Sequence, residues 1–439
     1  MTAWRLAWCA QCLAVLGLAG CSSDNDSAPA SGGAAGAAGA ADAAGAADAA
    51  GAAGMPSSSA GTSAGGSPQG GKSGSGSGGE SAAGAATGGT SAAGSGTVIE
   101  GCDTPPSAAP AEHWVNATGN LAKMASECGN LGLVSAQPCS NRVIAGVAQK
   151  GLWETLDGGK SWAALGKGAG SDAITNRISS LVFDPKDPNI FWESGVYNAG
   201  GVYQTTDGGQ TFHQLGDVVH CDSVSVDFSD PERKTLLAGA HETNTTLSLS
   251  KDGGKTWTNI AAGLPNGQCT STAVIDSKTF LVGCNTGTIV RSENTGAKWD
   301  AVPGGNLGGT FQPLTASDGA LYWPGGGGGV SKSADHGKTF SSVATTSQAP
   351  GLLGGASLAE LPDGRIVSIG KDHLLASADK GASWKPIGEQ LPFPGGGYDN
   401  ASGVTYSAAT KTFFIWRWTC ADTVPDNAIM SMGFDWQAK

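Results

Sequence analysis

The chain of 439 residues lacks any apolar run long enough to span a bilayer, which takes about 20 residues. Its best hydrophobic stretch, at 13–18, is short and follows a single basic residue, Arg5. A weakly basic start, a short apolar centre and a small-residue end are typical of an export signal. Residues 1–21 are therefore predicted to be such a signal rather than a membrane span.

Positive charge is also scarce. Lysine and arginine number 25 against 37 acidic residues, the formal net charge is −12, and 102–439 contains no basic cluster. Electrostatic binding to nucleic acid or to an anionic lipid surface is therefore not expected. The sequence has no CxxC pair and no Cys/His cluster after the signal, so neither a metal nor a cofactor is expected.

Seven cysteines follow the predicted signal, and an exported chain permits disulfides. Cys269 and Cys284 flank one predicted hairpin and are expected to pair. Cys102, Cys128 and Cys139 lie close together in sequence, and a pair among these three is one possibility. The partners of Cys221 and Cys420 stay open, and the odd count leaves at least one thiol free.

Residues 22–100 consist almost entirely of alanine, glycine and serine. Such a segment has too little apolar surface to offset the entropy of ordering, so a flexible tether is predicted. As a glycine-rich coil it would span on the order of 50 Å. The predicted organisation is a signal at 1–21, a tether at 22–100 and a folded region at 101–439.

The folded region repeats one short pattern, Ser/Thr-x-Asp-x-Gly-x-Thr/Ser-aromatic, six times. The copies are 155–162, 205–212, 250–257, 292–299, 333–340 and 377–384. The central positions are Asp157, Asp207, Asp252, Asn294, Asp335 and Asp379. Their spacing of about 40–50 residues falls in the range of propeller blades.

This pattern resembles the Asp-box, or BNR repeat, of sialidases, sortilin-type receptors, xyloglucanase-type glycosidases and photosystem II assembly factors. The resemblance implies an all-β fold, a propeller of four-stranded antiparallel blades with each box at the turn between strands C and D. Three strands follow the sixth box, and residues 113–121 echo the strand D and loop at 256–264. Seven blades are therefore predicted, the last closed by an N-terminal strand.

The six box residues are interpreted as structural. A carboxylate in such a turn can accept backbone N–H bonds, and Asn294 can do the same, whereas an asparagine would damage a catalytic role. Catalysis or calcium binding by the boxes is the weaker alternative.

Leu18, Ala19, Gly20 and Cys21 resemble the lipobox of bacterial lipoproteins. The resemblance implies cleavage before Cys21 and lipidation of its sulfur. Since Ser22 rather than aspartate follows, it also implies anchoring at the outer membrane or cell surface. A plain secretory signal cut elsewhere is the alternative.

Loops between strands D and A and between B and C share the face where propellers of this kind meet ligands, so candidate residues were sought there. The catalytic candidates are Glu242, His241, Asp222 and Glu193. The substrate-binding candidates are His220, Tyr197, Arg177, Trp323, Tyr398, Arg417 and Trp418. The sharpest group is His220, Asp222, His241 and Glu242 in blade 3, for which a hydrogen-bonded loop clamp is the structural alternative.

Carboxylates beside aromatic rings suit a sugar chain. We therefore predict a monomer that binds an extracellular polysaccharide and, in one version of the prediction, also cleaves it. Hydrolysis would pair Glu242 with Glu193 or Asp222; a lyase would use His241, His220 or Tyr197 as base. Sialidase activity is not expected, because that family needs three arginines and only Arg177 and Arg417 lie near the right face. The alternative is a non-catalytic scaffold or receptor that binds a surface protein.

Overall fold

The structure is a computed structural model that describes residues 111–166, 174–198, 200–243, 245–304, 312–325, 329–344, 357–395 and 399–438. The predicted signal with Cys21, the predicted tether, Cys102 and Tyr398 lie outside these residues. In the part of the chain so described, no helix is long and apolar enough to cross a membrane.

Strands make up nearly all of the regular structure. The first blades use β1 (Val115–Asn116), a 3-10 helix (Gly119–Leu121), β2 (Leu131–Ala136), β3 (Val143–Val147), β4 (Gly151–Thr155), β5 (Ala163–Ala164), β6 (Arg177–Phe183), β7 (Phe191–Val196), β8 (Val202–Thr205), β9 (His213–Gln214), β10 (Cys221–Val226), β11 (Leu236–Ala240), β12 (Leu247–Ser250) and β13 (Thr258–Asn259). The remaining strands are β14 (Cys269–Val274), β15 (Phe280–Cys284), β16 (Ile289–Ser292), β17 (Asp300–Ala301), β18 (Leu314–Thr315), β19 (Leu321–Pro324), β20 (Val330–Ser333), β21 (Ser341–Ala344), β22 (Ala359–Glu360), β23 (Ile366–Ile369), β24 (Leu374–Ser377), β25 (Lys385–Ile387), β26 (Ala401–Ser407), β27 (Thr412–Arg417) and β28 (Ile429–Gly433).

These strands form seven four-stranded antiparallel sheets, which confirms the predicted seven-bladed propeller. Six sheets take four consecutive strands, from β2–β5 to β22–β25. The seventh has the order β1-β28-β27-β26, with Val115 opposite Ser431 and Asn116 opposite Met430. Strand A of each blade, such as β6 or β10, lies nearest the central axis.

Two disulfides are described in full. Cys269 and Cys284 are bonded across β14 and β15 with an S–S distance of 2.02 Å. Cys128 is bonded to Cys420, 292 residues away, rather than to either of its neighbours in sequence. This bond links the segment before β2 to the segment after β27, so it fastens the first blade to the last. Cys221 is a free, buried thiol.

The core lies between neighbouring blades, because alternate residues of each strand point to opposite faces of its sheet. Phe191 packs toward blade 1, with Ile144 and Leu152. Its neighbour Trp192 packs toward blade 3, where its ring lies 6.0 Å from that of Phe228. Every blade therefore contributes to two cores.

The six repeated turns share one set of hydrogen bonds. In the first copy, the buried Thr155 hydroxyl donates to Asp157 at 2.8 Å and accepts from the Gly159 N–H at 2.9 Å. The Asp157 carboxylate also accepts from the Ser161 N–H at 3.0 Å and the Ser161 hydroxyl at 2.6 Å. In the fourth copy Asn294 accepts from the Ser292 hydroxyl and the Lys298 N–H, and Lys298 replaces the second hydroxyl donor. The carboxylates are thus occupied within their own turns.

Candidate functional site

A cavity of about 200 Å³ opens at the central axis, on the face opposite the repeated turns. Arg177, Asp222, His241, Gln312 and Trp418 line it, together with small residues of the innermost strands. We call it the channel-mouth cavity. Four of the five named residues were sequence candidates, and the structure brings these four together.

Hairpin geometry explains why blade 3 supplies two of them. Cys221 at the start of β10 pairs with Ala240 at the end of β11, so the following residues, Asp222 and His241, lie side by side. The strand has an irregularity between Cys221 and Ser223, which changes the direction of Asp222. Tyr197 directly follows β7 in the neighbouring blade and reaches the same point.

Tyr197, His241, Asp222 and Glu242 form one hydrogen-bonded network. Nδ1 of His241 lies 2.9 and 3.0 Å from the two Asp222 oxygens, and Nε2 lies 2.9 Å from the Tyr197 hydroxyl. The Tyr197 hydroxyl is also 3.2 Å from Oε1 of Glu242, which lies 3.3 Å from Nε2. The imidazole therefore stands between the Asp222 carboxylate and the phenol.

The network has two proton arrangements. An imidazolium donates from Nδ1 to Asp222 and from Nε2 to the Tyr197 oxygen, which leaves the Tyr197 proton for Glu242. A neutral imidazole protonated on Nδ1 accepts the Tyr197 proton at Nε2 instead. One proton removed from His241 thus changes the acceptor of the Tyr197 hydroxyl.

Electrostatics favour the charged arrangement. Burial acts to lower the pKa of His241, but the Asp222 hydrogen bond and the charges of Asp222 and Glu242 outweigh it and raise this pKa above 6.5. Burial and the Glu242 charge raise the pKa of Tyr197 to about 12, against the opposing charge of Arg177. The phenol is therefore protonated near neutral pH and held beside a titrating histidine.

Unusual backbone conformations cluster around this network. Tyr197, Asn198, His220 and Glu242 have φ values of 57°, 43°, 53° and 54°. These lie in the left-handed region that non-glycine residues seldom occupy, at a cost of order 1–3 kcal/mol each. Strain of this kind concentrates at functional sites, where the surrounding structure holds it.

Arg177 supplies a positive charge beside the phenol. Its guanidinium carbon lies 4.7 Å from the centre of the Tyr197 ring, and the residue is only 9 % exposed. Its Nε has no hydrogen-bond partner in the described ranges, and no ion pair there joins the guanidinium to a carboxylate. Its stem and the Trp418 indole both lie against Gly129, where an added Cβ would come within 2.8 Å of either.

Other candidates lie farther from the cavity. His220 accepts the Tyr197 N–H at Nδ1, at 3.2 Å, and so supports the loop that carries the phenol. Arg417 ends β27, bonds to Asn427 and lies over Phe393, outside the residues that line the cavity. Tyr398 falls outside the described residues.

Two candidates were placed wrongly in loops. Glu193 lies within β7 opposite Leu181 and Tyr203 and is 0 % exposed. Trp323 lies within β19, is also 0 % exposed and packs on Phe340. Strands β7 and β19 extend farther than their polar and aromatic residues indicated, so neither side chain reaches the channel-mouth cavity.

Glu193 is nevertheless unusual. Neither of its carboxylate oxygens has a hydrogen-bond partner among the described residues, and Asn176 beside it is equally buried. Burial raises the pKa of Glu193 to about 8, with Asn176 acting in the opposite direction. A buried carboxyl of this kind is neutral through most of the physiological range.

Gln312 was not among the candidates. It accepts the Ser180 hydroxyl at 2.7 Å and donates from Nε2 to the Val224 carbonyl, and so crosses the channel from blade 5 to blades 2 and 3. Ser180 lies three residues along β6 from Arg177, roughly 10 Å deeper. Only its position ahead of a predicted strand A signals it in the sequence.

Comparisons with known proteins bear on the fold and not on the chemistry. Neither the protein-family models nor the curated proteins that were searched include a match to the chain. Among solved structures, the GH74 enzyme of Niastella koreensis is similar at 17 % identity and a TM-score of 0.49, over 71 % of this chain and 53 % of that one. YCF48 bound to D1 peptide is similar at 18 % identity and 0.44, over 77 % of this chain and all of that one.

The extracellular domain of a hybrid two component system from B. thetaiotaomicron is similar at 12 % identity and a TM-score of 0.49, over 70 % of this chain and 40 % of that one. The chain thus spans about half the length of the GH74 structure. Likeness at this level is to β-propellers as a class. It assigns no activity.

Proposed function

We propose that the protein binds an extracellular polysaccharide at the channel-mouth cavity and cleaves it by proton transfer through Tyr197 and His241. The observation that carries the proposal is the network of Tyr197, His241, Asp222 and Glu242, of which Asp222 and His241 line the channel-mouth cavity. A phenol within hydrogen-bond reach of a titrating imidazole, itself oriented by a carboxylate, is the arrangement that general acid–base catalysis requires.

The surroundings support a sugar ligand. Trp418 offers an aromatic surface, while Glu242 has a side chain 45 % exposed that can bond to hydroxyls. Strained loop residues on a rigid propeller also fit a site that is organised before its ligand arrives.

Export and anchoring belong to the same proposal. The lipobox resemblance supports a lipoprotein, acylated at Cys21 and held at the outer membrane or cell surface by the 22–100 tether. In that place the propeller would meet polymers outside the cell.

The test is an assay of the purified full chain against a panel of neutral and acidic polysaccharides, scored for binding and for new reducing ends. His241→Ala is expected to lower the cleavage rate by about 10²–10⁴-fold, the usual contribution of a general acid or base. Glu242→Gln keeps a side chain that can bond to hydroxyls but removes the charge beside the Tyr197 hydroxyl, so it is expected to abolish cleavage, while binding persists in both variants.

Arg291→Gln is the control, because Arg291 bonds to Glu293 beside a repeated turn and should leave the rate unchanged. Normal rates in both site variants would contradict the assignment. Binding of a protein without turnover of any polymer would favour a scaffold instead.

A further inference from the structure

Arg177 is the starting observation. A guanidinium with its Nε buried and unpartnered, in the described part of the chain, bears an uncompensated desolvation cost. The residue lines the channel-mouth cavity and lies against Tyr197. A cation placed this way can be balanced by an anionic group of a bound ligand, for which a carboxylate has the matching planar shape.

The local charges agree with a single anion. Nδ1 of His241 donates to the Asp222 carboxylate in either proton arrangement, so Asp222 already has a fixed partner. Glu242 is half exposed and bonded to Tyr197, so water screens it. Among the described residues, Arg177 is left as the charge on the cavity wall without a fixed partner.

The contacts and burial of the acidic groups argue against hydrolysis. Glycoside hydrolysis needs two carboxyl groups about 5–9.5 Å apart, one on each side of the bond. Both Asp222 oxygens contact Nδ1 of His241, while Glu193 is buried within β7. Among the described residues, neither of these carboxyl groups is thus free to act as the second one for Glu242.

We propose that the ligand is a uronate-containing polysaccharide, that Arg177 binds the uronate carboxylate, and that Tyr197 cleaves the chain by β-elimination. This inference rests on the proposed function and names its substrate class and reaction. The proton on C5 of a uronate is acidic because it adjoins the carboxylate, and pairing that carboxylate with Arg177 stabilises the negative charge that develops there.

The step balances without any oxidant or cofactor. With His241 neutral, the Tyr197 oxygen takes the C5 proton while the Tyr197 proton moves to Nε2. The C5–H electron pair forms the C4=C5 double bond, and the C4–O bond breaks with its pair on the departing oxygen. That oxygen takes a proton from Tyr197, and His241 returns its proton to Tyr197.

The experiment uses the full chain with polygalacturonate and alginate, each beside its carboxyl-reduced counterpart. The expected result is absorbance near 232 nm, roughly where the conjugated C4=C5 product absorbs, from an acidic polymer and none from its reduced form. Tyr197→Phe should lower this rate by about 10²–10⁴-fold and still bind the polymer. Arg177→Gln should weaken binding of the acidic polymer, while Arg291→Gln should change neither quantity.

The outcomes separate the two proposals. New reducing ends without the 232 nm product, or equal action on the reduced polymers, would overturn the elimination and leave the proposed function standing. Binding of acidic polymer that survives Arg177→Gln unchanged would overturn the role of Arg177. Failure to bind any polysaccharide would overturn both proposals.

Discussion

The two faces of this propeller hold their polar groups in opposite ways. On the turn face, six turns repeat one set of hydrogen bonds, each formed within eight consecutive residues. On the channel face, one network joins residues 19 to 45 positions apart, and only blades 2 and 3 contribute to it. Hydrogen bonds that recur within each turn indicate a structural element, whereas a single network between distant residues indicates a site.

The pKa values of the carboxyl groups also differ between the two faces. The Thr211 N–H and hydroxyl lower the pKa of Asp207 to about 2, as similar bonds do for Asp252. Beneath the channel face, burial raises the pKa of Glu193 to about 8. Ionised turn carboxylates such as Asp207 stabilise the fold above about pH 4, and this stabilisation is lost as the pH falls toward 2. The buried Glu193 carboxyl instead makes the fold less stable as the pH rises from about 4.5 to 8.

The largest expected effect comes from Glu193→Gln. Glu193 holds its proton in the folded state up to about pH 8 and releases it near pH 4.5 when unfolded, so the wild-type free energy of unfolding should fall by roughly 5 kcal/mol between these pH values. Glutamine has the same shape and no charge, so the variant should lose most of this slope. Urea unfolding at pH 5 and pH 8.5 measures it, and equal slopes in the two proteins would refute the buried acid.

A smaller effect is expected from Thr155→Val on the turn face. Valine keeps the shape of the side chain, but the buried Gly159 N–H loses its acceptor, which costs about 1–3 kcal/mol. Thr155→Ser is the matched control, because Ser250, Ser292, Ser333 and Ser377 hold the same position in other turns. The urea concentration at the midpoint of unfolding should fall for Thr155→Val and stay unchanged for Thr155→Ser. A valine variant as stable as the serine one would contradict the role of this hydroxyl.

What the sequence could predict follows from this contrast. The repeated turns and the seven blades were predictable because their signals are local and recur. The meeting of Asp222 with His241 was predictable too, since both flank one hairpin. The bond of the Tyr197 hydroxyl to His241 was not, because it depends on how neighbouring blades pack. Glu193 and Trp323 were misplaced because strand pairing, with Tyr203 and Ser331 respectively, extends past the polar and aromatic positions that suggested loops.

Replacing an aspartate by asparagine on each of the two faces sharpens the comparison. Its effect on stability is expected to be smaller than those of the substitutions above. Asp157→Asn loses one acceptor for the Ser161 hydroxyl but keeps the bonds that Asn294 makes in its own turn, so the free energy of unfolding should change by less than about 1 kcal/mol. Asp222→Asn can still accept from Nδ1 of His241, yet it removes the charge that raises the pKa of that histidine. The His241 titration, followed by NMR, should therefore move to lower pH in Asp222→Asn and stay in place in Asp157→Asn. If both variants left it unmoved, Asp222 would be a structural hydrogen-bond acceptor like its counterparts in the turns, and the difference between the two faces would lie in geometry alone.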